Sequence, residues 1–489
     1  MKTILIIFTI LFGYILSYAQ EDIAELPVTG PGEIGVSDTI EIPSETSDEV
    51  ETPAASEAPI ETEAVIAPER DNLSTEESDN AVHYPLASDF EPPAGALIAN
   101  VYTFGSAKHL VVLVAKQAKK LYVLNVEGDG QERIAGVNII SGRFAGAKRL
   151  EGDKRTPDGV YYTTSFLSAE RLHKLYGDYA DIYGFGAFPT NYPNPSDRAL
   201  GYTGYGIWLH GLNPLGHKDA TEGCVAMENT GYEEIKDYLS TGQTVIFSDQ
   251  LLWEDEAAYA RKRGEAFDKL NAFFDSWRDG DYETYKNFIH PKYKSYAAAS
   301  ADKYLAGKKS LMRLYPKKTI ELNNIKIYSV DDNATVYDLD QLYCAENTLS
   351  YARKKYYFAR DGGEQRLISE EIIAKDARPR IEAAARKFAE EWVAAWESRE
   401  IERYASFYSP AVNTDKWRSY KEGIFAATGE IDVEMSGFKW RAAGGNRYII
   451  SFLQEYKADA LSDRGRKTLV IKGCPGGFTI ESEKWERSK

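Results

Sequence analysis

Apolar and polar positions divide the chain into stretches of different period. Lys2 precedes an apolar run from Ile4 to Leu16, and Ser17-Tyr18-Ala19 follows, which is the charged, apolar, small order of an export signal. The run is shorter than the ~20 residues of a membrane span, so a mature chain starting near Gln20 is expected, with an uncleaved signal anchor as the alternative. From Glu21 to about Val82 there is no Phe, Trp or Tyr, while Pro, Ser, Thr and Glu recur. Such a segment buries too little apolar surface to offset its ordering entropy, and it reads as a disordered acidic tether. An acidic segment that binds a cationic partner is the second reading of it.

Aromatic and β-branched residues return at Tyr84. Ala107 to Asn125 predicts two short strands joined by a polar turn, and Gly136 to Ser141 predicts another. Gly152 to Tyr162 contains Thr156-Pro157-Asp158-Gly159, a turn leading into a strand. After a charged helical stretch, Gly204 to Gly211 reads as a strand whose alternation places Trp208 and His210 on one face, with His210 last before a glycine break. Thr230 with Glu233 three positions on is a capping-box pattern, predicting a helix that runs to about Leu239 and stops at Gly242. Thr244 to Ser248 predicts the closing strand. Beyond it the period changes. Phe273, Trp277, Tyr285, Phe288 and Pro291 recur 119 positions later as Trp392, Trp396, Tyr404, Phe407 and Pro410. Asp302-Lys303-Tyr304 matches Asp415-Lys416-Trp417, and Ser369-Glu370 matches Ser482-Glu483, both at an offset of 113. Each copy runs helix first and then strands, with the aromatic stripe as core and the charge run Glu397 to Arg403 as a solvated helix face.

Length and charge sharpen this division. The 489 residues allow two to four domains, and 43% hydrophobic with 12% aromatic residues supplies their cores. The net charge of -17 is carried by the tether: residues 21–82 hold 18 acids and one base, which leaves 57 acids and 57 bases elsewhere. That balance carries no basic footprint for nucleic acid. The chain also has no Gly-Lys-Ser/Thr phosphate loop and no Gly-x-Gly-x-x-Gly run opening a helix, so no nucleotide cofactor is expected.

The chemistry lies in His210-Gly211 and Gly223-Cys224. A thiol is a poor nucleophile at neutral pH, and a neighbouring imidazole can convert it to a thiolate as an ion pair. Backbone N–H groups near Gly223 and Cys224 are available to an oxyanion. An inert buried cysteine beside a core histidine is the competing reading. A metal site is a third, because His210, His217 and Cys224 are spaced by seven and seven with Glu222 as a fourth donor, yet no HExxH or paired CxxC accompanies them. His83, His109, His173 and His290 have no motif context. The remaining cysteines, Cys344 and Cys474, read equally as a pair or as two buried thiols.

These residues resemble the L,D-transpeptidase or YkuD family, on Gly152 to Tyr161, Ala187 to Asp197, Ile207 to Gly211 and Thr221 to Asn229. The resemblance implies Cys224 as nucleophile, His210 as general base, the Gly211 main-chain carbonyl as the group that orients the imidazole, and Gly223 lining the oxyanion site. Trp208, Glu222 and Asn229 are the substrate-binding candidates, and no metal or other cofactor is expected. Glu222 stands where most members have His, and Ala226 where many have Arg. The implied substrate is the tetrapeptide stem of peptidoglycan, attacked to release D-alanine and leave a thioester. An amine acceptor then gives a cross-link, and water gives L,D-carboxypeptidase trimming; a silent wall-binding protein is the non-enzymatic alternative. The expected architecture is a signal peptide (1–20), acidic linker (21–82) and mainly-β catalytic domain (83–252), followed by two α+β cone-shaped domains (255–374 and 377–489). Those two resemble the nuclear-transport-factor-like fold, which follows the catalytic domain in certain L,D-carboxypeptidases that set helical cell shape. Binding or self-association is the role that the resemblance implies for them, and the expected location is the periplasm or cell envelope.

Overall fold

Two short strands, β1 (Leu97–Ile98) and β2 (Val101–Thr103), precede the first long apolar run of the folded chain. In this computed structural model the described residues are 97–98, 101–103, 108–128, 130–212, 219–250, 253–330, 333–458 and 461–488, all within one compact unit, 78–489. The expected export signal and tether, with His83 and His217, lie outside them.

β3 (His109–Ala115), β4 (Lys120–Glu127) and β5 (Gly130–Asn138) form an antiparallel meander, as the paired apolar runs predict. The chain continues through β6 (Gly159–Tyr162), β7 (Leu167–Ser168), α1 (Ala169–Tyr176), β8 (Gly186–Pro189), α2 (Pro195–Leu200), β9 (Trp208–Gly211), β10 (Val225–Met227) and α3 (Asn229–Ile235) to β11 (Thr244–Ser248). Two sheets result, in the orders β5-β4-β3-β11-β6 and β10-β9-β8-β7. Isolated bridges Ile140↔Ala226 and Gly142↔Thr221 tie the chain beyond β5 to the β10 edge. Val112, Val114, Leu121 and Val123 of the first sheet meet Leu209, Val225 and Met227 of the second in one core.

The continuous apolar run of β3 has a specific cause: both of its faces are covered. Val111, Leu113 and Ala115 face the other way and pack with Tyr328, Val336, Tyr357 and Ile368 of the following domain. Each Val or Leu so buried contributes about 1.5–3 kcal/mol.

β12 (Trp253–Glu254) pairs with β1 and leads into α4 (Glu256–Asp279), which Asp255 caps by accepting the Ala258 N–H and Gly280 ends in the left-handed region. α5 (Tyr282–Asn287) and α6 (Ala301–Leu314) follow. Then comes the antiparallel meander β13 (Lys318–Val330), β14 (Ala334–Ala345), β15 (Thr348–Asp361) and β16 (Glu364–Ala374), whose β13 edge takes β2 as a fifth strand. The plan repeats in α7 (Arg378–Ser398), α8 (Ile401–Ala405), α9 (Asp415–Ala427), β17 (Ile431–Ala442), β18 (Arg447–Ala458), β19 (Leu461–Lys472) and β20 (Thr479–Arg487). The fold is thus a mainly-β domain followed by two α+β domains, helix first, as expected. Phe273, Trp277 and Tyr285 are buried in the first α+β core, and Trp392 and Tyr404 in the second.

Two local expectations need correction. Thr230 does not cap α3: the helix starts two residues earlier than a cap there would set it, its N-cap is Glu228 without a side-chain bond, and it tightens to a 3-10 turn over Lys236–Tyr238. Pairing of Met227 with Gly211 ends β10 there and makes the chain turn at Glu228, so the sheet sets the helix start. The expected strand from Gly204 shortens to β9, because Gly204 and Gly206 have φ of 92° and 75°.

Cys344 of β14 and Cys474, after β19, form a disulfide across the two α+β domains. Beside it the Asn446 amide donates to the Ala345 and Thr348 carbonyls. The bond closes a loop with a sequence separation of 130 residues. Replacing both cysteines by Ala should lower unfolding stability by about 2–4 kcal/mol, the typical effect of a native disulfide. Thermal unfolding of that variant beside oxidised and reduced wild type checks this, and three coincident curves would contradict it.

Candidate active site

β9 and β10 run parallel, with Leu209 opposite Val225 and His210 opposite Ala226. That register carries Cys224, immediately before β10, to the level of Trp208. His210 is buried, and its Nδ1 lies 2.6 Å from the Gly211 carbonyl. A carbonyl only accepts, so Nδ1 carries the proton and Nε2 is left as the basic nitrogen. Gly211 is required by close approach, since a Cβ there would fall 2.5 Å from Asn229 Oδ1 and 3.1 Å from the Phe185 nitrogen. Tyr183 closes a 3-10 turn, Gly177–Tyr183, and packs its ring 4.8 Å from Trp208 and edge-on, at 5.1 Å, to His210. Its phenol also feels the Cys224 sulfur, so one aromatic side chain borders both members of the pair.

Cys224 is half-buried, the only free cysteine of the chain, and donates its thiol to the Gly206 carbonyl at 3.2 Å. Two threonines brace the turn before it. Thr221 Oγ1 accepts the Gly223 N–H at 3.1 Å and donates to the Cys224 carbonyl at 2.6 Å. Thr156 Oγ1 accepts the Gly142 N–H at 2.9 Å and donates to the Gly223 carbonyl at 2.8 Å. Gly223 has φ of 133°, and a Cβ there would meet the Arg155 carbonyl at 2.8 Å, so only glycine fits without displacement. Among the described residues the Cys224 N–H has no acceptor.

Thr156 itself is anchored from the core. Its carbonyl accepts from Lys116 Nζ at 3.0 Å and from the Lys148 N–H at 3.2 Å. Lys116, fully buried at the end of β3, also pairs with Asp158 at 2.7 Å and Asp249 at 2.8 Å.

Burial dominates the electrostatics. It pushes the Cys224 thiol up to about 11, against smaller stabilisation of the thiolate by the Trp208 N–H and Lys148. It pushes His210 down to about 4, opposed by the bond to Gly211. Glu222 takes no part in either shift. It is exposed and faces Arg143 at 3.5 Å and Lys154 at 3.8 Å.

The structure therefore brings Cys224, His210, Gly211, Gly223 and Trp208 together. Trp208 is buried against Tyr183 behind the pair. Asn229 sits on the far side of Gly211, where its Oδ1 accepts the Phe185 N–H at 3.3 Å. Thr156 and Tyr183 went unassigned in the sequence; the Thr-Pro-Asp-Gly turn was a signal for the first, and nothing local marked the second. Among the described residues no three His, Cys, Asp or Glu side chains are grouped to hold a metal ion. A separate cavity of about 620 Å³ opens on the first α+β domain beside Lys269, Asn287, Arg360 and Gln365.

Comparison with known proteins agrees with this layout. The family described as YkuD, L,D-transpeptidase catalytic domain, matches residues 109–247, and the Cds6 C-terminal NTF2-like domain matches twice, at 265–371 and 385–484. The structure of Bd1075 from Bdellovibrio bacteriovorus aligns at a TM-score of 0.51 and 24% identity, over 57% of this chain and 99% of that one, which shows a shared fold. The helical cell shape determining protein Pgp2 from Campylobacter jejuni aligns at a TM-score of 0.45 and 24% identity, over 56% of this chain and 94% of that one. No curated protein matches the sequence. Residues 109–247 belong to the YkuD family of L,D-transpeptidase catalytic domains, carried in this chain ahead of two NTF2-like domains.

Proposed function

We propose that the protein is an exported cysteine acyltransferase of L,D-transpeptidase type that acts on the tetrapeptide stems of peptidoglycan. One observation carries the reading: parallel β9 and β10 set Cys224 beside the strand that carries His210, whose Nδ1 is committed to the Gly211 carbonyl. The family of the catalytic domain, whose members are cysteine-dependent enzymes of peptidoglycan, supplies the substrate class. Export is supported by the signal-like start of the chain and by the disulfide, a bond that persists in oxidising compartments.

The shifts of the two groups define the resting state. With the thiol at about 11 and the imidazole at about 4, both are neutral in between, so an ion pair is not the form that the surroundings favour. Cys224 Sγ then attacks the carbonyl of the third stem residue while its proton passes to His210 Nε2. The negative charge develops on the carbonyl oxygen, for which the Cys224 N–H is the free donor. As the tetrahedral intermediate collapses, the C–N bond breaks and His210 returns the proton to the departing amine of D-alanine, leaving the thioester. An amine from a second stem attacks the thioester to form a cross-link; water in its place yields a tripeptide.

Incubating the chain with purified tetrapeptide muropeptides tests the proposal by mass spectrometry. Wild type should form a thioester at Cys224 and release D-alanine, and Cys224→Ala should do neither. New dimers identify the transpeptidase, and tripeptide monomers alone identify the carboxypeptidase. Binding to sacculi with neither product would leave a silent wall-binding protein. A neutral dyad makes a second expectation: alkylation of Cys224 by iodoacetamide should climb continuously toward alkaline pH, because the thiolate fraction of a thiol at about 11 rises tenfold per pH unit below that value. A plateau between about pH 5 and 8 would instead reveal a thiolate held by imidazolium.

A further inference from the structure

We infer that Thr156 is a positioning residue for the oxyanion donor: its hydroxyl holds the Gly223–Cys224 peptide in the one orientation that presents the Cys224 N–H to the reacting carbonyl. The inference rests on the acyl-transfer reading above and adds to it a residue that does not touch the substrate.

A trans peptide is planar, and its C=O and N–H point in opposite directions. The Gly223 carbonyl points at the fully buried Thr156 hydroxyl, 2.8 Å away, so the Cys224 N–H of the same peptide points away from it. Glycine at φ of 133° tolerates rotation of that plane more readily than any other residue. A flipped plane would offer a carbonyl oxygen where a negative charge is to form. The choice between the two orientations falls to the hydrogen bond.

The direction of that bond is determined. A hydroxyl has one proton, and the Gly142 N–H occupies its acceptor side at 2.9 Å, so the proton goes to the Gly223 carbonyl. Thr221 fixes the flanking groups by the same rule, taking the Gly223 N–H and donating to the Cys224 carbonyl. Of the four backbone polar groups of Gly223 and Cys224, three are thereby engaged, and among the described residues the Cys224 N–H is the one left for a ligand. Thr156 cannot drift, because Lys116 Nζ and the Lys148 N–H both hold its own carbonyl.

The test uses the full chain with Thr156→Val and Thr156→Ser, measuring single-turnover thioester formation on a tetrapeptide muropeptide and, separately, alkylation of Cys224 by iodoacetamide, a substitution in which no oxyanion forms. Loss of an oriented oxyanion donor costs about 10²-fold or more in rate. Thr156→Val should slow acylation at saturating muropeptide by about that factor with KM little changed, while alkylation stays near the wild-type rate and Thr156→Ser recovers most of the acylation. Should the valine variant not fold, Thr156→Ala carries the same expectations. Acylation and alkylation falling together, acylation by the valine or alanine variant at the wild-type rate, or a serine variant as slow as valine would each overturn the inference. Wild type that forms no thioester would overturn the acyl-transfer reading itself, and this inference with it.

Discussion

Parallel pairing of β9 with β10 is the constraint on which the site depends. Parallel strands cannot be joined by a tight hairpin, so the chain leaves Gly211 and returns at Thr221 before it can lie alongside. The return is pinned on its other side by the Gly142↔Thr221 and Ile140↔Ala226 bridges. Cys224 thus enters between a partner strand that carries the base and a second segment whose Gly142 N–H bonds the bracing Thr156. A one-residue slip of β10 would turn its alternate side chains over and take Val225 and Met227 out of the core, which makes the register costly to change.

The rigidity of this arrangement is drawn from far outside the reacting atoms. Lys116 follows the largely buried strand β3 and has two carboxylates and the Thr156 carbonyl within reach of its ammonium. Removing one partner from such a buried set costs about 3–5 kcal/mol, since the remaining charges stay desolvated. The other face of the same strand is covered by the first NTF2-like domain, so that domain completes the catalytic domain's core. Tyr162 adds polar contacts across the boundary, to Glu371 and to the Lys355 ammonium over its ring. The disulfide then joins the second NTF2-like domain to the first. The first repeat is therefore a structural partner of the catalytic domain, and the second is bound to the first.

Burial also sets the chemistry. A pair this enclosed gains little by separating charge at rest, and the imidazole works as a base only when the thiol begins to bond to carbon. The exposed Glu222 compensates its own charge with Arg143 and Lys154, which explains why an acid two positions before the nucleophile does not set its protonation.

Much of this was legible along the chain, for local reasons. Strand periods in His109–Ala115, Lys120–Glu127 and Thr244–Ser248 and the aromatic stripes of α4 and α7 follow from side-chain spacing, which a helix or strand converts directly into a buried face. His210-Gly211 and Gly223-Cys224 stood out because an imidazole at a strand end can activate a thiol in a glycine-flanked turn, and because the family resemblance falls on the same residues. Other features depend on partners far away in sequence. The start of α3 was decided by pairing with Gly211, the disulfide by the packing of two domains, and the isolated strand β2 by an edge more than 200 residues onward. Tyr183 and Thr156 acquire meaning only when the chain folds back on them. A hydroxyl or a phenol has no period and no motif of its own, and its role is set by whichever groups the tertiary structure places beside it: backbone for Thr156, Trp208 and His210 for Tyr183.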